Sequence, residues 1–112
     1  MGRLRQDRNK LIAVLGGGPA GLSAALRAAE LGIKVDLYEQ RKIGSGINCA
    51  EGFIDTLGIL GKPEAGVLYP VKRAIFFAEK AHTVRFGEDC GIWMIDRAIW
   101  QRAMSQRAQS AG

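Results

Sequence analysis

Three glycines, Gly16, Gly18 and Gly21, stand in the spacing Gly-x-Gly-x-x-Gly, and an acid, Glu39, follows 18 residues after the last of them. This set has the makings of a site for an adenine dinucleotide. Gly16 would make the tight turn out of a strand. Gly18, lacking a side chain, would let a pyrophosphate approach the backbone, and Gly21 would let helix and strand pack closely. The helix opened by such a turn offers free N–H groups and its positive dipole end to an anion. A carboxylate at Glu39 accepts hydrogen bonds from ribose hydroxyls and repels a 2′-phosphate, which disfavours NADP. The fingerprint alone does not separate NAD from FAD.

The elements needed to hold these residues are legible around them. Lys10 to Leu15 is a nearly continuous apolar run, the pattern of a central parallel strand buried on both faces. Pro19 to Leu31 is rich in alanine, with Leu22, Leu26 and Ala29 at helical spacing, Pro19 in the first turn and Gly32 placed to end it. Ile33 to Glu39 alternates as a second strand does. Downstream, Gln40 to Gly52 reads as a loop, followed by a short helix to Leu60 and a break at Gly61, Pro63 and Gly66. Val71 to Glu79 and His82 to Phe86 read as strands around a turn at Lys80 and Ala81, and Gly91 to Ile95 as a third. Asp96 is placed to cap a last helix whose apolar face is Ile99, Trp100, Ala103, Met104 and Ala108, with Gly112 at its end. The expected fold class is α/β: a Rossmann-type βαβ unit, a small antiparallel β segment and a C-terminal helix.

Composition bounds the possibilities. At 112 residues the chain buries about 65% of the surface its unfolded form exposes, enough for one modest core. Hydrophobic content of 47% excludes a wholly disordered chain, and two cysteines exclude a disulfide-dense scaffold, so reduced thiols and a cytoplasmic location are expected. No apolar run approaches the roughly 20 residues of a membrane span. The net charge is +5, but Arg3, Arg5, Arg8 and Lys10 against Asp7 supply +3 of it. Residues 1–9 therefore read as a basic, flexible, solvated tail rather than a nucleic-acid surface, and 10–112 as the nucleotide-binding part.

Several other residues carry two readings. Cys49 is either a small semi-buried residue or a redox or proton-transfer group, with only Arg41 and Lys42 nearby in sequence to lower its pKa. Glu51 is either a helix-start carboxylate or an acid catalyst. Arg97 is either a first-turn surface charge or an anchor for an anion. His82 sits in a strand pattern and reads as structural, Trp93 and Trp100 as core anchors. Cys90 has no partner at metal-ligand spacing, so no metal site is expected.

At this point the chain resembles a known family. Val14-Leu15-Gly16-Gly17-Gly18-Pro19-Ala20-Gly21, followed by Glu39-Gln40-Arg41, resembles the FAD site of the glutathione-reductase-type flavoproteins over about residues 11–41. Lys42 to Gly52, with Cys49-Ala50-Glu51-Gly52, is similar to the Cys-(Gly/Ala)-Glu-Gly loop of the geranylgeranyl reductase family. Asp96-Arg97-Ala98-Ile99-Trp100-Gln101-Arg102 and the Ala-Gly ending are similar to that family's Asp-Arg segment. The resemblance implies FAD as cofactor. It implies pyrophosphate contacts from Gly16, Gly18, Ala20 and Gly21, with Pro19 and Gln40 as neighbouring members of the two cofactor-binding motifs, and ribose contact from Glu39. It further implies flavin contact from Cys49, Ala50 and Gly52, and an FAD anchor in Arg97.

Such reductases continue well beyond 112 residues, through a second Gly-Asp FAD motif and an isoprenoid pocket. The expectation is therefore an N-terminal piece of a flavin-dependent oxidoreductase, inactive alone, with exposed apolar surface and self-association. Its parent would reduce C=C bonds of an isoprenoid lipid or pigment by flavin hydride transfer, with NADPH or another reductant as donor and peripheral membrane contact through other parts. The competing readings are an aromatic-ring FAD monooxygenase and a non-catalytic nucleotide-binding or assembly module.

Overall fold

The computed structural model describes residues 10–112, so the basic tail expected for residues 1–9 lies outside the described residues. The chain divides into two compact units, one ending at Gly46 and completed by Gln101–Gly112, the other running from Ile47 to Trp100.

The first unit is the βαβ motif. Strand β1 (Leu11–Leu15) leads into helix α1 (Pro19–Glu30), which returns through strand β2 (Lys34–Tyr38). The two strands pair in parallel, Leu11 opposite Lys34 through Leu15 opposite Tyr38. Helix α1 buries Leu22, Ala25, Ala28 and Ala29, one stripe of mostly methyl-sized side chains that brings the helix axis close to the strands. It ends as expected at Gly32, whose φ of +74° only glycine adopts cheaply. There the Gly32 N–H donates to the Ala29 carbonyl at 2.9 Å and the Ile33 N–H to the Ala28 carbonyl at 3.0 Å, a Schellman ending.

Strand β1 departs from expectation. Its apolar run predicts a strand buried on both faces, yet Leu11 is 55% and Leu15 84% exposed. Among the described residues β1 has one neighbouring strand, β2, and α1 reaches only part of its length, so the run is not enclosed.

The second unit holds a three-stranded antiparallel sheet, β3 (Gly52–Ile54), β4 (Val67–Pro70) and β7 (Ile92–Ile95), with β7 in the centre. Its core is aromatic. Phe53 lies opposite Trp93 in register, with ring centroids 6.0 Å apart, and meets Trp100 edge-on at 6.1 Å. The hairpin β5 (Arg73–Ala78) and β6 (Lys80–Arg85) turns at Glu79, one residue before the expected turn, with Glu79 itself at φ +54°. His82 lies on the exposed β6.

The helix expected after Gly52 is absent. Residues 52–54 are claimed by β7, and Asp55 then organises a turn that leaves Leu57, Ile59 and Leu60 exposed. Its carboxylate accepts hydrogen bonds from the Ile59, Leu60 and Gly61 N–H groups at 2.9, 2.9 and 2.6 Å. Burial alone would raise this carboxyl, and it is the largest single influence. The three amides together outweigh it and hold the group below its ordinary 3.8. The turn is therefore fully braced above that value and loosens as pH falls beneath it. Asp55→Ala should speed amide hydrogen exchange at Ile59, Leu60 and Gly61 by about tenfold or more, read by NMR.

Helix α2 (Arg97–Ala111) is capped as expected, with Asp96 Oδ1 accepting the Ile99 N–H at 3.0 Å. Of its expected inner face Trp100, Ala103, Met104 and Ala108 are half-buried, while Ile99 gives way to Gln101. Ile99 is 44% exposed and Gln101 only 5%, because the Gln101 amide makes a buried hydrogen bond inside the first unit. Among the described residues no helix is long and apolar enough to cross a membrane.

Candidate functional site

In the first unit the turn between β1 and α1 is held from several sides. The Gly16 N–H donates to the Tyr38 carbonyl at 2.8 Å, extending the ladder past the strand, and Gly16 then turns at φ +106°. A Cβ at Gly21 would run into the Gly16 carbonyl oxygen, the close helix–strand approach expected of this position. At Gly18 a Cβ would meet nothing within 4 Å. That open space lies at the N-terminus of α1, where Gly18 is the N-cap, Pro19 occupies the first turn, and there is neither a side-chain cap nor an acidic residue. The first intrahelical bond begins at the Leu22 N–H, to the Gly18 carbonyl at 2.9 Å, so the Ala20 and Gly21 N–H groups have no helical partner. Unpaired donors, the dipole and a side-chain-free approach together suit a bound pyrophosphate.

Gly17, the position the fingerprint leaves unspecified, is equally constrained. Its N–H donates to Glu39 Oε2 at 2.7 Å, and a Cβ there would collide with Ile43 Cδ1 and stand 3.1 Å from Glu39 Cβ. The run of three glycines is the sequence signal for it. Glu39 Oε1 in turn accepts the Arg41 N–H at 2.9 Å. These bonds, Gly17 first, hold the Glu39 carboxyl below its ordinary 4.5, so it is an anion at neutral pH with lone pairs still free for hydroxyl donors. An open cleft of about 570 Å³ beside it is lined by Gly16, Leu37, Tyr38, Glu39 and Gln40, at the carboxyl ends of the parallel strands.

The second unit gathers the other site residues expected from the sequence. Cys49 is exposed, and its Sγ accepts the Glu51 N–H at 3.3 Å. That bond, followed by the Arg97 guanidinium, lowers the thiol below its ordinary 9.0. Arg97 lies 48 residues away in sequence, so it could not be read as the cation beside Cys49. Its Nε is buried without a hydrogen-bond partner among the described residues, unlike a simple surface charge. Of the two roles read for Glu51, the structure shows the helix-start carboxylate. At φ +60° it turns the loop, its carbonyl accepts the Ile95 N–H at 2.9 Å, and its Oε1 accepts the Arg97 N–H at 3.0 Å. It is thus a carboxylate at the start of α2, a helix distant in sequence. Ala50 is exposed, and Gly52 opens β3 with free space about its Cα. Cys49 should alkylate with iodoacetamide near neutral pH several-fold faster than Cys90, and Arg97→Leu should slow it, as peptide mass spectrometry would record. Among the described residues no group of His, Cys, Asp and Glu could hold a metal ion.

A family model described as FAD binding domain matches residues 12–90. The digeranylgeranylglycerophospholipid reductase of Methanothrix thermoacetophila is 36% identical over 109 residues, which cover 90% of this chain and 28% of that protein. The dihydrolipoyl dehydrogenase of Bacillus subtilis is 42% identical over 98 residues, covering 88% and 20%. A solved geranylgeranyl bacteriochlorophyll reductase-like protein from Thermoplasma acidophilum superposes with a TM-score of 0.74 at 24% identity, over 92% of this chain and 28% of that one, a likeness of fold. The chain therefore spans between a fifth and little more than a quarter of these relatives. With its parallel βαβ unit and a glycine turn tied to the carboxylate that follows β2, the chain belongs to the FAD-binding domain family.

Proposed function

We propose that this chain is the adenosine- and pyrophosphate-binding part of a flavin-dependent oxidoreductase that reduces C=C bonds in the geranylgeranyl chains of a glycerophospholipid. The observation that carries the reading is the Gly17–Glu39 clamp, which ties the glycine turn to the acid at the end of β2. The identity to reductases named for that lipid supports the substrate.

Each residue's task follows from its chemistry. The backbone at Gly16, Gly18, Ala20 and Gly21 receives the pyrophosphate, flanked by Pro19, and Glu39 receives the ribose hydroxyls, with Gln40 lining the cleft. Cys49, Ala50 and Gly52 form a loop that packs against the flavin, and Arg97 supplies the cation that helps hold FAD. When bound, FAD supplies two-electron hydride chemistry, drawn from NADPH or another reductant. Exposed Leu15 and Phe77, 84% and 82% accessible, support self-association of the 112-residue chain by itself. A lipid substrate favours peripheral membrane contact by the whole protein.

The test is made on the full-length protein that carries this sequence. It should purify yellow or take up FAD. Reduced without oxygen, it should add one H2 to a geranylgeranyl glycerolipid for each double bond, read by mass spectrometry. A colourless protein that FAD cannot reconstitute would overturn the reading, and rapid oxygen use with an aromatic substrate would mark a hydroxylase.

A further inference from the structure

We infer that Gln101 is a positioning residue for the cofactor's pyrophosphate, acting through Gly17 to aim the Gly18 N–H into the site. The inference rests on the FAD reading above and adds a residue to it.

Gly17 is gripped on both of its peptide groups. The peptide joining Gly16 to Gly17 has its N–H on Glu39 Oε2 at 2.7 Å, and the peptide joining Gly17 to Gly18 has its carbonyl on Gln101 Nε2, which donates at 3.2 Å. A trans peptide is planar, with its C=O and N–H pointing in opposite directions, and the chain contains no cis bond among the described residues. Fixing one end of each peptide therefore fixes the other. For the first, the Gly16 carbonyl is directed against Gly21, where it fills the place a Cβ would take. For the second, drawing the Gly17 carbonyl toward Gln101 turns the Gly18 N–H the opposite way. That N–H has no partner within the described residues, and it belongs to the glycine whose Cβ position is open.

Gln101 is built for this rather than placed by chance. It is 5% exposed and the most deeply buried side chain of α2, among the half-buried Trp100, Ala103, Met104 and Ala108. Among the described residues its buried Oε1 has no hydrogen-bond partner, so the amide is not there to satisfy itself. Burying an amide with one end unmet is costly unless the other end does a job, and the bond its side chain makes is to Gly17.

The experiment compares wild type, Gln101→Met and Gln101→Glu in the full-length flavoprotein stripped of FAD, titrated with FAD, ADP and adenosine. Methionine keeps the volume and removes the donor. It should weaken FAD and ADP by about tenfold or more, the loss of one charge-assisted bond, while adenosine, which has no pyrophosphate, stays within about twofold. Gln101→Glu carries an internal control in its titration. Burial against the Gly17 carbonyl would raise that carboxyl above its ordinary value, so the variant should bind ADP weakly near about pH 8 and recover toward about pH 5, as the protonated carboxyl regains a donor for the carbonyl. Unchanged FAD and ADP affinities, or an equal loss for adenosine, overturn the inference. Should Gln101→Met fail to fold, an absence of recovery on acidification of Gln101→Glu overturns it instead. A wild type that takes up no FAD overturns the functional reading itself, a distinct result from variants that match a competent wild type.

Discussion

Gly21→Ala should abolish FAD binding by unfolding the βαβ unit, whereas Gly18→Ala should abolish most binding and leave the unit folded. The two glycines belong to one fingerprint, and their surroundings are opposite. A methyl at Gly21 enters the Gly16 carbonyl oxygen, and both belong to backbone that β1, β2 and α1 hold in place. Overpacking usually costs about 1–3 kcal/mol where side chains can shift. Here the obstacle is main chain, so the expected loss is about 3 kcal/mol or more, visible as a lowered urea midpoint. A methyl at Gly18 meets no atom within 4 Å, and Gly18 has φ −76°, which any residue adopts. Its cost to the fold is that of a poorer N-cap, at most about 1 kcal/mol. The methyl would instead occupy the space of the pyrophosphate oxygens, and FAD affinity should fall about hundredfold, read by flavin fluorescence titration. Equal stability losses in the two variants would contradict this division of roles.

The second large effect belongs to Glu39. Glu39→Ala should weaken FAD about hundredfold or more, because on the proposed reading the ribose hydroxyls would lose a charged acceptor, and the Gly17 N–H loses its anchor. Glu39→Gln should be milder, about tenfold. Its one oxygen can keep the Gly17 bond, but its amide nitrogen then faces the Arg41 N–H donor to donor. Competition with ADP reads both variants. Acid supplies an independent check. The folded carboxyl lies below its ordinary 4.5, so its contribution is complete above that value and is lost as pH falls through the depressed one. FAD affinity in the wild type should therefore be level from neutral pH down to 4.5 and decline only below it. A decline centred above that value would show that the Gly17 and Arg41 bonds do not hold the carboxylate.

Much of the first unit could be read before folding. Glycine spacing, an alanine-rich helix and an alternating strand are local patterns, and local patterns survive wherever the chain closes on itself within about 30 residues. Asp96 as the cap of α2 was legible for the same reason, since a cap and its helix are adjacent. Residues 52–61 were not. Phe53 sits in a stretch that reads as helical, but pairing with Trp93 and the Asp55 turn outweigh propensity there, and the strand partner is not local.

For the site the same boundary holds. Gly16, Gly18, Gly21 and Glu39 announce a dinucleotide because the motif is a short segment whose chemistry each residue carries by its type. Residue types and spacing thus determined the dinucleotide-type turn, and the resemblance carried by those motifs the FAD-binding family. Tertiary structure decided the rest: that Gly17 is as confined as its neighbours, that Arg97 faces Cys49, that Glu51 caps a distant helix, and that Gln101 reaches the glycine turn. The contacts of Arg97, Glu51 and Gln101 join residues 46 to 84 positions apart, and at such separations a side chain's partner is set by how elements pack, which no local pattern records.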